Sequence, residues 1–236
     1  GVQFWMEECR GDVFRMYLDV DINRWSDQPH SQGAALWQLI AESLREVVAP
    51  QRVDLAAIVT ECHGPCPPAA ATNSTGGSKP LFKSGYRIYF QRIGVDRMSY
   101  RRMVPRIAAE MARRDLAAGG ALGRSLITAD DVVADAPPLW TTIMDVAGCE
   151  WDRNRLLGTS KRRRNLGRVY RFAAVLNGDG VVDRAASTDI AARIGGGGDG
   201  LREVLFATTV SLGWDVSSPH LGNWKISNNH ILAPVL

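Results

Sequence analysis

No stretch of this 236-residue chain reaches the roughly 18 consecutive apolar residues that a membrane-spanning helix needs. Its start carries Glu7, Glu8 and Arg10 where a secretory leader would be apolar. A soluble, intracellular protein with no membrane partner is expected. Cysteine is scarce, four in all, which argues against a disulfide framework and fits a reducing compartment. An excess of one charge is also missing: Lys and Arg number 28 against 25 Asp and Glu, a net of +3, so any polyanion partner must be announced by local clusters. An initiating Met is absent as well, and a piece of a longer protein with further domains is expected from a chain that opens on Gly1. Hydrophobic residues, by contrast, make up 45%, enough to bury a sizeable core and to argue against disorder.

No internal repeat is visible, and strand-like and helix-like patterns alternate along the chain, which predicts a mixed α/β or α+β fold. Val13 to Ile22 reads as a strand with Met16, Leu18, Val20 and Ile22 on one face and Arg15, Tyr17, Asp19 and Asp21 on the other. Gly33 to Val48 has apolar residues three and four apart, as an amphipathic helix does, and Pro50 follows it. Further strands are predicted over Val53 to Thr60, Tyr86 to Phe90, Trp140 to Val146, Arg168 to Leu176 and Val204 to Val210. Met98 to Ala118 reads as a second helix, with Pro105 in its first turn or at a kink, ended by Gly119 and Gly120. Cys62 to Pro80 is rich in Pro, Ser, Thr and Gly and reads as a long surface loop, mobile over about 67–80.

Three constellations bear on chemistry. Asp19 and Asp21 share one strand face about 7 Å apart, a spacing from which both can reach a shared hard cation. Alone, the pair is equally two solvated acids on an edge strand. Lys83-Ser84-Gly85-Tyr86-Arg87 enters the next predicted strand with Lys83, Gly85 and Arg87 on one face, where a glycine between two cations admits a phosphate close to the backbone; singly, it is an ordinary strand with basic groups. Ile143-Met144-Asp145 ends an apolar run in one acid, otherwise a turn residue or a cap. After it come Arg153, Arg155, Lys161, Arg162, Arg163 and Arg164, a concentration suited to triphosphate or nucleic-acid phosphates, or else a solvated face or localisation signal.

In this order, acid-x-acid, Lys-x-Gly-x-Arg, hydrophobic-Asp and Arg-x-x-Gly-Thr-Ser-Lys, the motifs resemble those of the archaeo-eukaryotic primase superfamily, especially its primase-polymerase and large-DNA-virus primase branches. The resemblance spans about Arg15 to Arg164. It implies a catalytic domain over residues 1–236 with two subdomains, a module like an RNA-recognition motif and a second α/β unit, flanking an active-site cleft. It implies that Asp19, Asp21 and Asp145 are catalytic ligands of two Mg²⁺ or Mn²⁺ ions. Lys83, Ser84, Gly85, Arg87, Arg155 and Lys161 would bind the nucleotide, and Arg162, Arg163 and Arg164 would follow the nucleic acid. The implied activity is DNA-directed primer synthesis or extension on a single-stranded DNA template from nucleoside triphosphates, with a helicase or accessory domain as partner. The chain departs from the family in one motif: Arg87 stands where a His is usual and Gly85 where a Ser is. A permanent charge replaces a neutral imidazole, so a binding-only module that keeps the fold but holds single strands without polymerising them is the alternative, and a metal-dependent nuclease a third.

Other signals carry less. Cys62 and Cys66 form a Cys-x-x-Cys knuckle that could place two thiolates on one zinc ion, but no second knuckle is spaced to complete it, and a proline-rigidified loop is the simpler account. Asn177 to Asp183 echoes a calcium loop with Val175 and Ala186 at its end ligand positions, and so reads as a turn. Gly195 to Gly198 lacks the Lys and Ser/Thr of a phosphate-binding loop. Trp25 and Trp151 lie near the acidic motifs, yet core packing is the usual fate of tryptophan.

Overall fold

The computed structural model describes residues 6–8, 13–25, 31–49, 51–65, 81–126, 139–145, 153–155, 168–196, 201, 204–205, 208, 217–218 and 222–223. Its elements, in chain order, are β1 (Met6–Glu8), β2 (Val13–Trp25), α1 (Gly33–Val47), β3 (Ala57–Pro65), β4 (Leu81–Asp96) and α2 (Arg97–Ala117). Then come α3 (Ala121–Leu126), α4 (Leu139–Ile143), β5 (Arg153–Arg155), β6 (Arg171–Leu176), α5 (Arg184–Gly195), β7 (Ser217–Ser218) and β8 (Gly222–Asn223). No helix among the described residues is long and apolar enough to cross a membrane.

A four-stranded antiparallel sheet in the order β2-β4-β3-β6 organises the chain, so the predicted mixed α and β character holds. The strand after α1 does not return beside β2; β4 occupies that place, which makes β2-α1-β3 a split β-α-β unit. Leu18, Val20, Ile22, Tyr86, Ile88, Phe90, Ala57 and Val59 are buried and join the buried sides of α1 and α2 in one core. Trp37 of α1 meets Tyr86 edge-on with ring centroids 5.5 Å apart. Leu36, Ile40 and Leu44, at the helical spacing seen in the sequence, are fully buried; each contributes about 2 kcal/mol by leaving water. At the β6 edge a second, smaller cluster joins Phe172 and Val175 to Ile190 and Ile194 of α5 and to Val204.

Several elements differ from expectation. The strand predicted over Trp140 to Val146 is instead the helix α4, after which Met144 bridges Val20 antiparallel. Its apolar residues Trp140 and Ile143 sit three apart and are both buried, which serves a helix; so short a run has no period of its own to decide the matter. In the predicted Val204 to Val210 strand, Thr208 donates its backbone N–H to the carbonyl of Val204 at 3.0 Å, a helical turn stabilised by a core-facing Val204. Strand β3 begins at Ala57, four residues later than read, and runs on to Pro65, so Cys62 is in the sheet and not in the loop. The predicted mobile loop, 67–80, lies outside the described residues. Pro105 is well inside α2, on its exposed side, where it cannot donate to the carbonyl of Arg101.

Helix α2 begins directly where β4 ends, and Asp96 makes the junction. Its carboxylate accepts from the backbone N–H of Ser99 at 2.9 Å and from the Ser99 hydroxyl at 2.6 Å. Burial opposes the ionised form, yet these hydrogen bonds win and hold the Asp96 pKa below its ordinary 3.8. Asp96→Ala is expected to lose about 1 kcal/mol in denaturant titrations at pH 7. Because the folded-state pKa is depressed, the cap's contribution is present above the ordinary value, and the gap between the two proteins should close as pH falls through the folded one.

Candidate active site

Period-two alternation along β2 sends Asp19 and Asp21 to the face opposite Leu18, Val20 and Ile22, away from α1. The register with β4 then decides their neighbours. Asp19 stands opposite Arg87, Asp21 opposite Gly85 and Asn23 opposite Lys83. Two residues of the first motif and three of the second thus share one face of two adjacent strands, β2 at the edge of the sheet and β4 beside it. Ser84 does not: it faces the other way, is 1% exposed, and pairs in register with Ile22 and His63.

The third acid arrives from the outer edge of β2. Asp145 donates its backbone N–H to the carbonyl of Asp19 at 2.9 Å, while its neighbour Met144 bridges Val20. Residues directly across such a bridge lie about 5 Å apart at Cα and direct their side chains to the same face. Asp145, Asp19, Arg87 and Thr60 of β3 therefore form one row across the sheet, and Asp21, Gly85 and Cys62 form the next.

Charge is closely balanced within these rows. The Asp19 Oδ2 atom accepts from Arg87 Nε at 2.9 Å and from Arg87 Nη2 at 2.8 Å, with both side chains about nine-tenths buried. The ammonium of Lys83 donates to Asp21 Oδ2, in a pair that is somewhat more open. Burial works against the Arg87 charge, but Asp19 beside it overrides that and holds the guanidinium well above its ordinary pKa. Behind Arg87, the Tyr170 ring lies 4.6 Å from the guanidinium carbon, a cation–π contact. Tyr170 is itself buried, which raises its phenol pKa and keeps it neutral.

Gly85 fits because it has no side chain. A Cβ there would stand 3.1 Å from the Cys62 carbonyl and 3.2 Å from Asp21 Oδ1. At Gly64, opposite Lys83, a Cβ would overlap the stem of Arg168, which crosses the glycine and is 3% exposed. Arg168, Tyr170 and Thr60 are site neighbours that the motifs did not reveal. The only signal for the first two is their alternation with Phe172 ahead of β6, and it says nothing of Arg87. Thr60 Oγ1 is buried on this face without a hydrogen-bond partner.

Hard carboxylate oxygens on a common face suit a divalent ion such as Mg²⁺ or Mn²⁺. The three acids are nevertheless not drawn onto a common point: among the described residues no three His, Cys, Asp or Glu side chains are gathered to hold an ion. Cations occupy two of them instead. Of the remaining predicted residues, Arg155 lies in β5, opposite Met6 of β1 and outside the four-stranded sheet. Lys161, Arg162, Arg163 and Arg164 lie outside the described residues, as does Cys66. Cys62 is a buried thiol, and the adjacent His63 hydrogen-bonds Glu61 at 3.1 Å.

Removing one partner of the Arg87–Asp19 pair strands a buried charge. Arg87→Met is expected to destabilise the fold by about 3 kcal/mol, and the double variant Arg87→Met, Asp19→Asn by clearly less than the two single changes combined. Urea-unfolding midpoints of the four proteins close this cycle; additive losses would mean that the pair is energetically uncoupled.

Two comparisons with known proteins bear on the site. Residues 2–111 match the family model Prim-pol 4, a span that contains Asp19, Asp21, Lys83 and Arg87 and ends before Asp145. No curated protein matches the chain.

Proposed function

We propose, for a chain whose residues 2–111 belong to the primase-polymerase family, that the row of acids and cations on the sheet is a nucleotidyl-transfer centre. It would synthesise or extend primers on single-stranded DNA. Family membership gives a primase- or polymerase-type nucleotidyltransferase acting on DNA and nucleotides. What supports a working site in this chain is the meeting of Asp145 with Asp19 across the β2 edge, because the two acids are remote in sequence and lie on the face that carries Lys83 and Arg87.

Asp19, Asp21 and Asp145 would hold two Mg²⁺ or Mn²⁺ ions, which when bound supply charge neutralisation and activation of the primer 3′-hydroxyl. Lys83 and Arg87, one on each side of Gly85, would bind the triphosphate, the first as a mobile point charge and the second as a planar fork. The bare Gly85 lets the polyphosphate approach the backbone. Tyr170 supports the back of the guanidinium and limits where it can swing. Arg155 and Lys161 would add to nucleotide binding, and Arg162, Arg163 and Arg164 would follow the template backbone, giving a salt-dependent affinity for single strands. Residues 1–236 would form a single catalytic domain of two subdomains, with the β2-α1-β3-β4-α2 portion as its module like an RNA-recognition motif.

The Arg87–Asp19 pair favours a second reading, in which a permanent cation has taken the place of a bound one and the fold only holds single-stranded nucleic acid. Metal-dependent nucleotide binding separates them: a binding-only module shows no Mn²⁺-stimulated thermal shift with a nucleoside triphosphate.

Primer extension on a single-stranded template is the direct test. Asp19→Ala, Asp21→Ala and Asp145→Ala are each expected to lose more than about 100-fold in rate while remaining folded by circular dichroism. A folded Asp145→Ala variant that extends at the wild-type rate would falsify the assignment of the third acid.

A further inference from the structure

We infer that Lys83 and Arg87 are exchangeable counter-ions that couple divalent-cation binding to triphosphate binding. Without ligand they neutralise Asp21 and Asp19, and a cation and a nucleoside triphosphate arriving together part both pairs at once. The inference rests on the reading of the acids as cation ligands given above.

Its basis is the wiring of the two strands. Each cation on β4 reaches an acid on β2, Arg87 straight across to Asp19 and Lys83 diagonally from opposite Asn23 to Asp21, and both pairs lie on one face of the two strands. The side chains of Asp19 and Arg87 are 10% and 11% exposed, and those of Lys83 and Asp21 are 16% and 25% exposed. In such surroundings a charge stripped of its partner is costly. A divalent cation that took the carboxylates alone would leave an ammonium and a guanidinium facing it at close range. A triphosphate that took Lys83 and Arg87 alone would face carboxylates left without counter-charge. When both bind, each displaced group finds a new partner of opposite sign, and no charge in the rows is left uncompensated.

The side chains suit such an exchange. Lys83 sits on a flexible stem, and Gly85 between the two cations leaves Asp21 room to turn, since its Oδ1 already lies where a Cβ would be crowded. Arg87 keeps the Tyr170 ring as a second contact when it leaves Asp19, so it does not depart into open solvent. Linkage makes the effect reciprocal: whatever the triphosphate does for cation affinity, the cation does for triphosphate affinity.

The coupling has an unusual signature, because removing one half of a pair should strengthen binding of the other half's ligand. With Mn²⁺ as the probe, and free ion followed by electron paramagnetic resonance without nucleotide, Lys83→Met should bind Mn²⁺ at least about fivefold more tightly than wild type. Lys83→Arg, which retains the charge, should match wild type. In EDTA, with a non-hydrolysable nucleoside triphosphate as the probe, Asp21→Asn should bind at least about fivefold more tightly than wild type, where a purely structural or purely cation-holding Asp21 would give weaker or equal binding. Should the methionine variant unfold, Lys83→Gln replaces it, and the Asp21→Asn measurement stands independently. If neither variant gains affinity for its probe, the inference is overturned even if primer extension still requires the acids. If the acid variants extend primers normally and no form of the chain binds Mn²⁺, the functional reading falls and this inference with it.

Discussion

The antiparallel register between β2 and β4 is the constraint on which the rest of the structure depends. It fixes Asp19 opposite Arg87 and Asp21 opposite Gly85, while the same alternation puts Leu18, Val20, Tyr86 and Ile88 under the helices. A slip by one residue would exchange the two sets, burying acids in the apolar core and exposing the core to water. The core therefore enforces the register, and the register places the site. Function and stability are not separate demands on these strands, because a single hydrophobic pattern meets both.

Charge in the site is handled pairwise. Two cations from one strand neutralise two acids from the next, and a buried tyrosine backs one of the cations. This allows acidic groups to sit largely buried on a sheet face without the desolvation loss that isolated carboxylates would suffer. It also means that the arrangement is complete in itself, a network whose members already have partners and which any ligand must rearrange.

The strands and helices with long, clean periods were legible in the sequence. The apolar alternation of Met16 to Ile22 and the three-four spacing of Leu36 to Leu44 each admit one structure. The Trp140 to Met144 segment was not legible, because a few apolar residues are compatible with helix or strand and only docking beside α2 and β2 decides. The site was half legible. Parity alone put Asp19 with Asp21 and Lys83 with Arg87, but which acid meets which cation depends on register, which no local pattern states. Tyr170 and Arg168 reach the site because β6 pairs with β3 through an irregularity between Val59 and Thr60, a tertiary fact without a sequence signature. Ser84 belongs to the motif by position in the chain and to the opposite face by geometry.

Gly85 and Arg87, where the second motif differs from the primase pattern it resembles, belong together. With a serine at 85, bulk would press on the Asp21 carboxylate from one side and a hydroxyl would compete with Lys83 for it from the other. Without that side chain the acid is free to lean toward the lysine, and the guanidinium two residues on balances its neighbour. The two positions complement each other, little volume in one row and a permanent charge in the next. A serine at 85 beside Arg87 would crowd Asp21, and a neutral side chain at 87 beside Gly85 would leave Asp19 without its counter-charge, so the two positions are tied together through the paired acids.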